Sequence, residues 1–198
     1  MAFTDNFSGT SGDSLDSRTG WARVDGSANN GQINGSNQLK NTSTTDTAYQ
    51  NANTGSANHY VQAVWLGTGT VGSFICVRIT DKDNFIGFRF TADTAREIYK
   101  RVAGSFTNLL SSAGVGNGST FKLVATGDSI ELFRNGSSFG PITETAHNTV
   151  TYTGVCLRNT TNDPLIDDWE STGPPAATIA YSDTMIGGRL TKQARLAA

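Results

Sequence analysis

Two segments, Ser73 to Phe90 and Thr120 to Arg134, each hold a pair of alternating apolar runs split by a short polar turn. The first reads SFICVRIT, then Asp81-Lys82-Asp83, then NFIGFRF; the second reads TFKLVAT, then Gly127-Asp128, then SIELFR. A period of two sends alternate side chains to opposite faces of a sheet, and a turn that short forces antiparallel pairing. Similar runs occur along the chain. Residues 2–8 and Tyr60 to Leu66 read as strands, as do Thr153 to Arg158 and Leu165 to Trp169. Gln32 to Leu39 reads as a short hairpin about the Asn34-Gly35 turn signal. Glu97 to Val102 follows a segment, Asp93 to Arg96, that could start a helix, but the density of neighbouring strands predicts a strand. Strands at this spacing, parted by Gly, Asn and Asp turns, predict an antiparallel sandwich or barrel, with Leu15 and Trp21 among its core anchors.

Asp5-Asn6-Phe7 and Ile166-Asp167-Asp168-Trp169 bracket this region. Laid side by side, they would close one domain over residues 1–171 and leave 172–198 as a C-terminal extension. Charged residues make up 16% of the 198, and Gly numbers 22, which suits tight turns and solvated strand faces rather than disorder. A net charge of -2 argues against a nucleic-acid partner, and no apolar run approaches the length of a membrane-spanning helix. Met1 leads straight into the first strand, with no signal peptide visible. Cys76 and Cys156 are too few for a disulfide scaffold or a cysteine zinc site. Buried free thiols are expected, with a disulfide between them left open.

The order of these pieces resembles the concanavalin A-like, laminin-G-like jelly-roll superfamily over residues 3–170. The Arg-bearing strand SFICVRIT leads through its polar turn to NFIGFRF, and EIYKRV supplies basic residues. A hairpin then ends in Asn135-Gly136, followed by TGVCLR and the closing LIDDW. Cys156 stands where a Gly is common. The resemblance implies an all-β sandwich whose relatives bind glycans, act as adhesion or spacer modules, or coat virus particles. It also makes a structural calcium a fair question. Asp5, Asp167 and Asp168, or Asp81, Asp83 and Asn84, could supply oxygens, although turn and strand-edge acids explain the same residues.

Glycoside hydrolysis needs two carboxylates on one strand face. No Glu-x-Asp-x-Glu run is present, and Glu97, Glu131, Glu144 and Glu170 are isolated. Gly67 to Gly72 fits G-x-G-x-x-G but is followed by a strand, and Gly136 to Gly140 fits G-x-S-x-G without the strand-to-helix turn that motif requires. His59 and His147 have no acid nearby in sequence and read as surface loop residues.

Strand alternation puts Phe74, Cys76 and Arg78 on one face, with Cys156 and Arg158, and Ile75, Val77 and Ile79 on the other. Arg78, Arg89 and Arg158 could present a polar platform to sugar hydroxyls or carboxylates, with Tyr99 stacking on a ring. The alternative is a solvated face of Arg–Asp pairs, or, because two cysteines would point outward, a covered face.

Gly173-Pro174-Pro175 ends the sandwich. In the tail beyond it, Ala177 to Ser182 could make a strand and Arg189 to Ala198 a short helix. Arg189, Lys192 and Arg195 against Asp183 give the tail a net charge of +2. These residues, with Tyr181, are expected to anchor the chain to its own body or to partner subunits. The reading is therefore a non-enzymatic structural or adhesion module on a larger assembly. A bacteriophage virion surface is its expected place, as a capsid decoration, fibre or tail protein. A stand-alone glycan-binding module is the alternative, and a hydrolase a remote one. No cofactor beyond calcium is implied.

Overall fold

A computed structural model describes residues 2–66, 72–89, 95–113, 117–158, 165–172, 179–186 and 189–196. The expected G-x-G-x-x-G loop, except Gly72, lies outside the described residues. The first strands are β1 (Phe3–Asp5), β2 (Ala22–Asp25), β3 (Gly31–Ile33) and β4 (Leu39–Asn41). Then come β5 (Thr47–Asn53), β6 (His59–Leu66), β7 (Phe74–Asp81) and β8 (Asn84–Arg89). β9 (Ala95–Val102), β10 (Ser105–Ala113), β11 (Ser119–Thr126) and β12 (Ser129–Arg134) follow. The chain continues with β13 (Ser137–Thr143), β14 (Tyr152–Leu157), β15 (Leu165–Thr172), β16 (Ile179–Ile186) and β17 (Arg189–Leu196). Among the described residues there is one 3-10 turn, Leu15–Ser17, capped by the Ser14 hydroxyl.

Two antiparallel sheets pack face to face. One runs β13-β12-β11-β6-β15-β4-β3, with β1 paired to β15; the other runs β10-β9-β8-β7-β14-β5-β2. The expected closure is present: Phe3 faces Ser171 and Asp5 faces Trp169. Alternation is clean on β6, where His59, Val61, Ala63 and Trp65 are buried and the residues between them are half-buried. The core between the sheets joins Phe88 of β8 to Phe121 of β11, rings stacked 4.6 Å apart, with Ile75, Val77, Leu123, Val155 and Trp65 around them. No described helix is long and apolar enough to cross a membrane. Gly136 to Gly140 lies on the turn before β13 and on β13 itself, so no nucleophile elbow forms there.

The segment Arg189 to Ala198 corrects one expectation. It contributes a strand rather than a helix: β17 pairs along its whole length with β16, Ile179 opposite Leu196 and Ile186 opposite Arg189. This two-stranded sheet is separate from both sheets of the sandwich. Tyr181, Arg189, Lys192 and Arg195 lie on it, and their side chains fall outside the described residues.

Arg78 corrects another. Its φ is 53°, and the β7–β8 register shifts between Val77 and Asp81. This bulge breaks the alternation. Ile79 moves to the outer face with Phe74 and Cys76, and Arg78 becomes fully buried. Its Nη2 donates to the Gly127 carbonyl and, at 3.4 Å, to that of Ala57. Arg78 thus pins two loops from inside and belongs to no surface platform.

Candidate functional site

The other platform candidates do share a face, the outer side of the seven-stranded sheet. Register places Gly87 between Cys76 and Tyr99, and Cys156 opposite both Phe74 and Ala48. The two thiols are free and fully buried. Burial pushes both upward in pKa. The cover is aromatic. Phe106 stacks on Phe74 at 5.8 Å, and Phe85 and Tyr99 pack edge-on around them. Gly87 leaves the room: a Cβ there would lie 3.0 Å from Phe74 and 3.2 Å from the Cys76 sulfur.

Arginines finish this cover. Arg101 and Arg158 lie 4.5 and 4.7 Å from the Phe106 ring centroid, and Asp46 binds both, at 2.9 and 3.2 Å. Arg101 also reaches Asp83 and the Lys82 carbonyl. Arg89 lies over Tyr99 at 5.0 Å and pairs with Glu97. These guanidiniums are therefore committed to ion pairs and ring faces. Sequence reasoning missed Asp46, Arg101 and Phe106, which complete the arrangement.

The metal candidates divide similarly. Asp5 is spent on structure: Arg18 binds both its oxygens at 2.5 and 2.6 Å, and the Trp21 indole N–H donates to it at 2.8 Å. Asp81 and Asp83 are joined by Asp25, with ligand oxygens of all three within 4.8 Å. The Lys82 ammonium binds Asp25 at 2.7 Å and Asp83 at 3.1 Å, while the Asn84 amide donates to Asp81. His59 is another correction. It is buried at the start of β6 rather than a surface loop residue, because its ring fills the bulge end of the sandwich and accepts the Arg78 N–H. His147 is half-buried, its Nε2 lying 2.9 Å from the Arg101 carbonyl.

Two polar hollows lie elsewhere, on the outer face of the eight-stranded sheet. A groove of about 810 Å³ is lined by Phe3, Asp5, Arg18, Gln62, Asp168 and Glu170, among others, with Trp169 in its wall. A second hollow of about 320 Å³ begins at the same Gln62 and is lined by Thr120, Lys122, Val124, Phe133 and Gly136. Strand pairing explains why these residues meet. Thr4 faces Glu170, Glu170 faces Gln62, Gln62 faces Lys122, and Lys122 faces Phe133. These five positions form one row across β1, β15, β6, β11 and β12. Adjacent strands lie about 4.8 Å apart, so Glu170 and Lys122 stand about 10 Å apart on either side of Gln62.

A second bulge shapes the acidic end. Asp168 has φ 46°, and the β15–β6 register shifts between Asp167 and Glu170. Ile166 and Trp169 are thereby both buried, leaving Asp167, Asp168 and Glu170 together on the outer side. Burial, helped by the neighbouring Asp168, raises the Asp167 carboxyl above the usual range. Glu170 accepts the Tyr60 hydroxyl. Burial and that carboxylate push Tyr60 up to about 12. Lys122 Nζ lies 3.7 Å from the Tyr60 ring centroid, a close cation–π contact.

The sequence matches no family profile and no curated protein. Its fold does match solved structures. Carbohydrate binding module CBM66 from Bacillus subtilis aligns with a TM-score of 0.56 at 13% identity, over 79% of this chain and 94% of that one. A glycosyl hydrolase family protein from Mycobacterium fortuitum aligns at 0.54 and 11% identity, over 85% and 97%. A beta-1,3-glucanase from Mycobacterium marinum aligns at 0.51 and 11% identity, over 85% and 96%. Such identities speak for fold alone. Two facing antiparallel sheets, closed by the pairing of the first and last strands of the body, make this chain an all-β sandwich of the jelly-roll type.

Proposed function

We propose that this protein is a non-enzymatic glycan-binding module that seats a sugar chain across the outer face of its eight-stranded sheet. The observation that carries this reading is the row Thr4, Glu170, Gln62, Lys122 and Phe133, bordered by the two grooves that share Gln62. Hydroxyl, carboxylate, amide and ammonium groups at strand spacing match the repeated hydroxyls of a saccharide. The half-buried Phe133 offers a ring against which a sugar can lie. Fold likeness to proteins named for carbohydrate binding or hydrolysis agrees with this but does not decide it. The row presents one acid, Glu170, but Asp168 lines the same groove. Hydrolysis needs two carboxyls about 5–9.5 Å apart across one bond, so the release of reducing ends is the measurement that separates binding from hydrolysis.

The test is an affinity-gel or array screen against neutral and acidic glycans, with reducing ends assayed in parallel. The wild type is expected to bind, and Gln62→Ala and Phe133→Ala to weaken binding at least about tenfold, the cost of one lost contact of about 1.4 kcal/mol. Reducing ends should not accumulate. A wild type that binds no glycan, or variants that bind as well as it does, would sink the proposal.

One observation favours a further role in a larger assembly. The β16–β17 hairpin forms a sheet of its own and pairs with neither sheet of the sandwich. Such a hairpin has two outer strand edges that a partner subunit could extend. The virion surface expected from the tail rests on this hairpin and on nothing else in the fold. Removal of residues 173–198 tests it: full retention in the oligomer or particle would rule the role out.

A further inference from the structure

The cations of the sandwich divide in two, and Lys122 belongs with Lys40, Arg78 and Arg134, of which Arg78 and Arg134 donate to the Gly127 carbonyl and the Ser119 hydroxyl rather than to a carboxylate. Arg18, Arg89, Lys100, Arg101 and Arg158 are each bound to a carboxylate. Lys122 pairs with no carboxylate among the described residues, and its ammonium rests on the Tyr60 ring at 3.7 Å. Among the described residues it is also the one charged group lining the hollow of about 320 Å³, whose other walls are Gln62, Thr120, Val124, Phe133 and Gly136. The chain as a whole carries a net charge of -2, so this hollow is a local positive site on an acidic protein.

We infer that the Lys122 hollow receives the anionic group of an acidic sugar, a uronate carboxylate or a sulfate ester. The inference rests on the glycan-binding reading and names the ligand class for one end of its row. A lysine usually pays a large entropic cost when a ligand fixes its long side chain. Here the Tyr60 ring already holds the ammonium in place, while the hydroxyl of the same ring is tied to Glu170. A charge-assisted hydrogen bond to an anion is roughly twice as strong as one to a neutral hydroxyl. Gln62 and Thr120 can meet the hydroxyls beside it, and Phe133 and Val124 an apolar ring face. The row then has polarity. The Glu170 carboxylate, held on the Tyr60 hydroxyl, repels an anion at the other end of the row, so the acidic sugar sits over β11 and β12 and a neutral sugar over β15.

The experiment compares wild type, Lys122→Gln, Lys122→Arg and Lys40→Gln by affinity electrophoresis. The gels contain dextran, polygalacturonate or dextran sulfate, and circular dichroism checks folding. Lys40 lies on β4 of the same sheet and controls for net charge. Wild type should be retarded more by an anionic polymer than by dextran, and which polymer acts decides between carboxylate and sulfate. Lys122→Gln should lose at least about tenfold of that affinity, with added salt erasing the difference, while Lys122→Arg and Lys40→Gln keep it. If Lys122→Gln and Lys40→Gln lose affinity equally, or Lys122→Gln loses none, the inference is overturned. If wild type binds neutral glycans through Gln62 and ignores both anionic polymers, the inference falls and the glycan reading stands. If it binds no glycan, both fall.

Discussion

The imidazole Nε2 of His59 accepts the backbone N–H of Arg78 at 3.1 Å. That role fixes the tautomer: Nδ1 carries the proton and donates to the Ser56 carbonyl at 2.8 Å. The bond answers the bulge at Arg78, whose N–H the interrupted ladder leaves without a strand partner. A proton on Nε2 would abolish the acceptor. Burial disfavours the charged ring, and the nearby Arg78 guanidinium adds to the effect, so His59 titrates at about 4 rather than 6.5.

Stability should therefore fall in mild acid. The unfolded chain takes up a proton near pH 6.5, while the folded chain resists until about pH 4. Stability is full above pH 6.5 and declines as pH drops towards 4, by about 3 kcal/mol at a conversion of about 1.4 kcal/mol per pKa unit. Urea unfolding at a series of pH values measures it. In His59→Gln, whose amide can also accept the Arg78 N–H, the decline over this window should disappear. A wild-type curve flat from pH 7 to 4 would contradict the assignment.

Phe106 seals the thiols. It stacks on Phe74 and carries the Arg101 and Arg158 guanidiniums against its ring, over a layer that contains Cys76 and Cys156. Phe106→Ala should cost about 2 kcal/mol, less than a fully buried ring because Phe106 is half-exposed. It should also make the cysteines react with a thiol reagent under native conditions, whereas wild-type thiols stay silent. Equal reaction in both proteins would mean that Phe106 is not the cover.

How much of this was legible follows from where the chain keeps its period. The β7–β8 and β11–β12 hairpins, the pairing of Asp5 with Trp169 and the buried thiols could all be read from alternation and turn residues. Arg78 and Asp168 could not. Each is a non-glycine residue with positive φ at a bulge, and nothing in its identity announces that conformation. Reading through the bulges put Arg78 on the surface and left Glu170 isolated from Asp167 and Asp168. The row from Glu170 to Phe133 was invisible for another reason. Its residues come from strands far apart in sequence, and only register aligns them.

Calcium should have little effect on the acidic turn. Lys82 already stands between Asp25 and Asp83, and Asn84 donates to Asp81. A cation would have to displace the ammonium and gather six to eight oxygens. The melting temperature is expected to be the same with millimolar calcium and with chelator. A rise with calcium that Asp81→Asn removes would show the site to be real.

Asp5 should set a second acid limb, below that of His59. Burial alone would raise its carboxyl, but hydrogen bonds from Arg18, Trp21 and the Phe7 N–H hold it below 3.8. The unfolded carboxyl therefore protonates first as pH falls. The stabilisation is complete above about pH 4 and is lost as pH drops through the lower folded value. Asp5→Ala would leave Arg18 and the Trp21 indole without their acceptor. The expected cost is about 2–3 kcal/mol, below that of breaking a fully buried pair because the Arg18 side chain is 20% exposed. Because Asp5 sits on β1 against Trp169, the loss should appear first as fraying of the β1–β15 pair, read by earlier hydrogen exchange at Phe3 to Asp5. In Asp5→Ala the limb below pH 4 should flatten while the His59 limb persists. If both limbs survive unchanged, the Asp5–Arg18 pair is not what closes the sandwich against acid.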